Sequence, residues 1–158
     1  MPWTLQITRW ILAVAHVLAA AAWFGAMLYS LLVLHPRARA FFGSPRQFED
    51  FISYVAAGAR WKVLGGAAFI GVTGVGLLLC SAPGQLSPTK WAFLIVKIIL
   101  FVLAITLFCF TSWVLWPART LAATEEIPQF QQRFRLIAVA LLVLIGAAMA
   151  LGVVSSHL

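Results

Sequence analysis

The chain has 158 residues, of which 63% are hydrophobic and 9% are charged, and its formal net charge is +7. A soluble core cannot enclose this much apolar surface, so the composition excludes a soluble globular protein and indicates an integral membrane protein. The basic residues flank apolar segments, so we interpret them as orientation signals and contacts to anionic headgroups and do not predict nucleic-acid binding.

Four apolar segments are long enough to cross a bilayer, which takes about 20 helical residues. They lie at about 8–34, 63–81, 91–116 and 134–155. The first is too long for a signal peptide, and we interpret it as a retained span. Backbone groups in lipid must bond within their own segment, which favours helices over a sheet. The sequence therefore predicts an all-α, four-helix transmembrane bundle in a single domain, 1–158, without an internal repeat.

Turn signals separate these spans. Pro83-Gly84 is predicted to end the second span, and Pro117 the third. Between the first two spans, a Ser-Pro pair begins a segment at about 45–60 with apolar residues on one face. We predict that this segment forms an interfacial helix or an extension of the second span.

Basic residues are concentrated in two of the three connections between spans. Those in and beside the first and third connections are Arg37, Arg39, Arg46, Arg60, Lys62, Arg119, Arg133 and Arg135. The short second connection contains only Lys90. By the positive-inside rule, the first and third connections are cytoplasmic, so both termini face the periplasm of a bacterial inner membrane.

Two polar residues are predicted to share one depth within the spans. His16 lies six residues after Trp10, and Lys97 lies six residues after Trp91. With the tryptophans as interfacial anchors, both polar residues are about 9 Å below the outer surface. An ionisable side chain inside a bilayer is costly, so Lys97 is either functional or snorkels to the headgroups.

His16 and Met149 are candidate metal or cofactor ligands. Met149 lies eight residues before His157, which places it roughly 12 Å below the outer end of the fourth span. Arg9, His16 and Trp23 recur every seven residues, so we expect this stripe to face the bundle. The alternatives are that His16 is a neutral side chain bonded to a neighbouring helix and that Met149 only fills space.

A resemblance to known families rests on five features in chain order. They are His16 and Trp23 in HVLAAAAWFGAMLY, Pro36, TGVGLLL at 73–79 and Lys97 in WAFLIVKIILF. This pattern resembles the CopD-like copper-resistance membrane domain, which implies copper uptake or tolerance. The first-helix pattern and Lys97 are also similar to HemJ-type protoporphyrinogen oxidases. That similarity implies a four-helix protein with b-type haem, in which His16 is an axial ligand and Lys97 is needed for function.

From this resemblance we expect haem b in the outer half of the bundle, with His16 as an axial ligand. The other axial position is either taken by Met149 or open. Arg9, Lys90 and Lys97 are predicted to neutralise the haem propionates. The expected function is electron transfer or redox chemistry with a quinone or a tetrapyrrole, with Lys97 as the catalytic candidate and Trp23 beside the cofactor.

Two other functions stay open at this point. One is copper handling, with His16 and Met149 as metal ligands; three Met and three His in the chain are few for a copper(I) relay. The other is a cofactor-free accessory subunit of a larger membrane complex or homo-oligomer, in which Lys97 pairs with a partner chain. No nucleotide-binding loop, hydrolase triad or zinc motif occurs in the sequence.

The topology is the first testable prediction. A reporter fused after Leu158 should behave as non-cytoplasmic, and a reporter inserted at Gly43 as cytoplasmic, because the basic connections set the orientation. Activity of paired reporters that work only on one side of the membrane measures this. The opposite pattern would place the layer of His16 and Lys97 in the inner half.

Overall fold

The computed structural model describes residues 3–81, 87–123 and 125–156, and it contains five helices in these ranges. They are α1 (Trp3–Phe41), α2 (Pro45–Ala56), α3 (Ala59–Leu79), α4 (Pro88–Thr120) and α5 (Ile127–Ser156). All except α2 are long and apolar enough to span a membrane, which confirms the predicted all-α bundle of four such helices. The predicted turn at Pro83-Gly84 lies outside the described residues. His157, from which the depth of Met149 was predicted, lies outside them as well.

Both α1 and α4 continue through a proline, which corrects the prediction that the third span ends at Pro117. A π-helical turn ends two residues before each proline, at Ser30–Leu34 in α1 and at Thr111–Leu115 in α4. Proline lacks an N–H and its ring collides with the carbonyl one turn back in a regular helix. The wider turn relieves this conflict because its hydrogen bonds reach five residues back, as from the His35 N–H to the Ser30 carbonyl.

These turns reveal a positional repeat of α1 in α4, whereas the sequence alone was interpreted as lacking an internal repeat. A shift of 81 residues places Trp10 on Trp91, His16 on Lys97, Pro36 on Pro117 and one π turn on the other. Each half is completed by the next spanning helix, since α1 packs along α3 and α4 packs along α5. Two of the matched pairs, Trp10 with Trp91 and Pro36 with Pro117, are identical residues, whereas His16 and Lys97 differ.

The two halves meet through α1 and α5, which pack against each other. At this contact Trp23, Phe24 and Met27 of α1 pack against a buried cluster, which consists of Ala104 on α4 with Leu141 and Ile145 on α5. Many of the other large apolar side chains of the spanning helices are exposed, as expected for surfaces covered by lipid. We call the end of the bundle where α1 begins and α5 finishes the terminal end, and the opposite end, which carries α2, the basic end.

The segment predicted at about 45–60 is a separate short helix, α2, and not an extension of α3. Ser44 caps its start by accepting a hydrogen bond from the Gln47 backbone N–H at 3.2 Å, and Pro45 occupies the first turn. Gly58 separates α2 from α3 with a φ of 73°, a conformation that residues with a side chain rarely adopt. The apolar face of α2 buries Phe48 and Ile52 against Ala38.

A buried ion pair fastens α2 to the end of α4. The Arg119 Nε donates to the Glu49 Oε2 at 2.6 Å, and the two side chains are only 7% and 13% exposed. The other Glu49 oxygen accepts a hydrogen bond from the Gln131 side chain of α5 at 2.7 Å. The Arg119 guanidinium also lies over the Phe134 ring, 4.6 Å from its centroid. Charge, hydrogen bonds and ring stacking thus join three helices at the basic end.

Loss of the Glu49 charge should destabilise the protein. Glu49→Gln leaves the Arg119 guanidinium buried without a counter-charge, which costs about 3 kcal/mol of the free energy of unfolding. Asp50→Asn is the matched control, because Asp50 and its partner Arg46 are 71% and 61% exposed at 3.8 Å, and it should cost less than about 0.5 kcal/mol. Denaturant unfolding in detergent measures both values, and equal losses would contradict the structural role of the buried pair.

Candidate cofactor site

His16 lies on the face of α1 that packs against α3, where Thr73 and Gly74 receive its ring. The Nδ1 atom of His16 lies 2.9 Å from the Oγ1 of Thr73, which is only 3% exposed. A Cβ added to Gly74 would come within 3.3 Å of the His16 Cε1. Thr73 therefore supplies a hydrogen-bond partner, and Gly74 supplies the space that the imidazole occupies.

The Thr73 hydroxyl has two further neighbours on its own helix. It donates to the Phe69 carbonyl at 2.8 Å, and the Ile70 carbonyl is a second acceptor at 3.0 Å. Bonding of this kind, from a threonine to the preceding turn, lets a hydroxyl sit inside an apolar span. The same hydroxyl keeps a lone pair for a group on another helix.

Lys97 makes the matching contact in the second half. Its Nζ donates to the Ser155 Oγ at 3.3 Å, and the Ser155 hydroxyl donates to the Gly152 carbonyl at 3.0 Å. Ser155 is one residue from the end of α5, so the ammonium extends towards the terminal end, the direction expected for a snorkelling lysine. Each half of the repeat thus carries one polar side chain bonded to a hydroxyl on its partner helix.

The contact between α3 and α4 brings the two polar pairs to one side of the bundle. A Cβ at Gly71 would lie 3.8 Å from the Phe101 ring of α4. Gly71 is three residues from Gly74, and Phe101 is four residues from Lys97, which puts each pair on one helix face. His16 and Lys97 therefore approach the same region from α1 and α4.

Gly152 leaves open space beside α5 near the depth of His16. It falls on the stripe of α5 that holds the buried Leu141 and Ile145, yet a Cβ added to it would meet no atom within 4 Å. A Cβ at Gly146 would touch the Phe24 ring at 3.2 Å, which sets the register between α1 and α5. Six residues onward from this contact, Gly152 lies within about 3 Å of the depth of His16.

Met149 and Trp23 pack deeper in the bundle than His16. Both surround the buried cluster of Ala104, Leu141 and Ile145. In the register just described, Met149 lies about 7.5 Å further from the terminal end than His16, although the two were predicted to share a layer. Met149 occupies the position of a packing side chain, and its role as a ligand stays a prediction.

Arg9 and Lys90 lie nearer the terminal end, seven residues before His16 and Lys97, and they too are equivalent in the repeat. Arg9 is exposed and Lys90 is half-buried. Neither side chain has a hydrogen-bond partner within 3–81, 87–123 and 125–156. Two cations thus stand about 10 Å above the layer of His16 and Lys97.

Thr73, Gly74, Gly152 and Ser155 were given no role in the site predicted from the sequence, although the TGVGLLL motif at 73–79 contains the first two. Threonine, serine and glycine are common in membrane helices, where they let backbones approach closely, so their presence alone points to no site. The one available signal was the spacing, since Thr73 and Ser155 each lie about 57 residues after the polar residue of their own half.

Metal-ligating side chains are sparse around this region. In the described part of the chain, no three His, Cys, Asp or Glu residues come together to hold a metal ion. Comparison of the chain with protein-family models, curated proteins and solved structures gives no match. The resemblance to CopD-like and HemJ-type proteins therefore stays a prediction from the motifs of α1, α3 and α4.

The close fit between His16 and Gly74 can be tested by adding one methyl group. Gly74→Ala forces the imidazole or its helix to move, and overpacking of this kind costs about 1 kcal/mol. Gly65→Ala on the same helix is the control, because its Cβ would meet nothing within 4 Å and alanine favours the helix. Unfolding in detergent should show a loss for Gly74→Ala alone, and equal stability of the two variants would contradict the packing.

Proposed function

We propose that the chain binds one b-type haem in the terminal half of the bundle and takes part in electron transfer or redox chemistry with a quinone or a tetrapyrrole. The observation that carries the proposal is the setting of His16. Its imidazole is anchored to Thr73 through Nδ1, and the space beside Gly152 at nearly the same depth is open. A ligating histidine is typically held through the ring nitrogen that does not bind the metal.

The donor set favours haem over a bare copper ion. A porphyrin supplies four nitrogen ligands itself, so one imidazole from the protein is enough to hold its iron. Copper needs several soft or imidazole ligands from the chain. Met149, the second ligand proposed for copper, packs against the core cluster about 7.5 Å deeper than His16. In this proposal His16 would be the ligand that the protein supplies, and Met149 would only pack against the buried cluster.

Three cations fit the acidic edge of such a group. Lys97 ends at Ser155 near the terminal end, and Arg9 and Lys90 lie beyond it on α1 and α4. Carboxylates such as propionates are stabilised by charge-assisted hydrogen bonds to lysine and arginine. When bound, haem supplies one-electron redox chemistry, and the residues of this chain bind it, orient it and balance its charge.

The orientation is part of the proposal. The basic end carries α2 and most of the arginines, which favours the cytoplasmic side of a bacterial inner membrane. The terminal end, with His16 and Lys97, then faces the periplasm. A quinone diffusing in the bilayer reaches this half of the bundle without leaving the lipid.

The absorption spectrum of the detergent-purified protein tests the haem proposal. We expect a reduced-minus-oxidised haem band in the wild type and its loss in His16→Ala, which removes only the ligand from a helix that alanine favours. His35→Ala is the control, because His35 lies about 28 Å along α1 from His16 and bonds the Ser30 carbonyl. A native spectrum in His16→Ala, or a wild type that never holds haem, would refute the proposal.

Lys97→Met separates the role of the ammonium from that of the ligand. The variant keeps the stem and removes the charge, so we expect haem to stay bound with a lowered reduction potential, because a nearby cation favours the reduced state. Redox titration of the bound haem measures the shift. An unchanged potential would show that Lys97 only snorkels.

A further inference from the structure

We infer that Thr73 is a positioning residue that holds His16 with its ring proton on Nδ1 and so leaves the lone pair of Nε2 free to ligate. The use of that lone pair rests on the proposed haem site. The position of the proton does not, because it follows from hydrogen bonds within the chain.

The count of hydrogens on Thr73 decides which atom donates. A hydroxyl has one hydrogen and two lone pairs. That hydrogen is taken by the backbone, since Oγ1 lies 2.8 Å from the Phe69 carbonyl, an atom that can only accept. The 2.9 Å contact to His16 then needs a donor on the imidazole, which places the proton on Nδ1. The opposite assignment would turn the hydroxyl hydrogen away from two carbonyls inside an apolar span.

The way the His16 ring contacts α3 also favours a free Nε2. His16 meets α3 through Nδ1 at Thr73 and through Cε1 at Gly74. The side-chain hydrogen bond that His16 makes across the helix interface is at Nδ1. A neutral imidazole with its proton on Nδ1 presents an acceptor at Nε2, which is the form that binds a metal. Thr73 thus determines the ring rotation as well as the proton position.

The second half of the repeat shows how specific this arrangement is. Lys97 at the equivalent place also meets a hydroxyl, but an ammonium only donates, so that half presents no lone pair. The repeat therefore combines one ligating nitrogen with one cation. His35 offers an internal reference, because its Nδ1 lies 2.8 Å from the Ser30 carbonyl and must carry a proton there.

Nitrogen NMR of the histidine-labelled protein without any cofactor tests the inference. The two ring nitrogens of a neutral histidine differ strongly in chemical shift, and comparison with His16→Gln assigns the His16 signals. We expect a protonated Nδ1 and a bare Nε2 in the wild type and in Thr73→Ser, which keeps the hydroxyl. In Thr73→Val, which lacks the hydroxyl, we expect the His16 proton to be no longer confined to Nδ1. Thr111→Val is the matched control, because Thr111 bonds the Leu107 carbonyl at 2.7 Å on α4.

A wild-type His16 with its proton on Nε2, or with both nitrogens protonated, would overturn the inference whether or not the protein binds haem. An unchanged His16 signal in Thr73→Val would overturn it as well. In protein that holds haem, Thr73→Val should weaken haem affinity about 10- to 100-fold, the usual effect of removing a hydrogen-bond partner from a ligating histidine, while Thr73→Ser and Thr111→Val should not. A wild type with the expected tautomer but no haem would refute the proposed function alone.

Discussion

The need to satisfy every polar group inside apolar surroundings shapes this molecule. Two helices pass through a proline, and each absorbs the lost hydrogen bond in a π turn whose bonds reach one residue further back. His16 and Lys97 stand within spanning helices, and each meets a hydroxyl on the helix packed beside it. Water is scarce in the hydrocarbon layer, so partners of this kind must come from the chain itself.

The repeat explains how two similar helices carry different polar side chains at equivalent places. Both α1 and α4 contain a π turn before a proline, so the two halves bring residue 16 and residue 97 to comparable places. The side chains differ, since an imidazole can accept a bond at one nitrogen whereas an ammonium cannot. In the proposed function, the imidazole would ligate a metal and the ammonium would pair with acidic groups of the same cofactor.

The basic end has a separate task. The ion pair of Glu49 and Arg119 joins α2 to α4, and Gln131 adds α5 through the second carboxylate oxygen. These contacts lie at the opposite end of the bundle from His16, so they maintain the arrangement of the helices without taking part in the candidate site. Side chains on rigid helices are positioned more precisely than side chains on loops.

The sequence by itself determined the class of the protein, the number of spanning helices and the cap of α2, because hydrophobicity, length and local capping are properties of neighbouring residues. It also singled out His16 and Lys97, since a polar residue in an apolar span is visible without a structure. Only the tertiary structure decided what these residues touch. Thr73 and Ser155 lie 57 and 58 residues from their partners, Arg119 lies 70 residues from Glu49, and the depth of Met149 depends on the register of α5 against α1. Such contacts follow from how whole helices pack, and no local pattern of residues encodes that register.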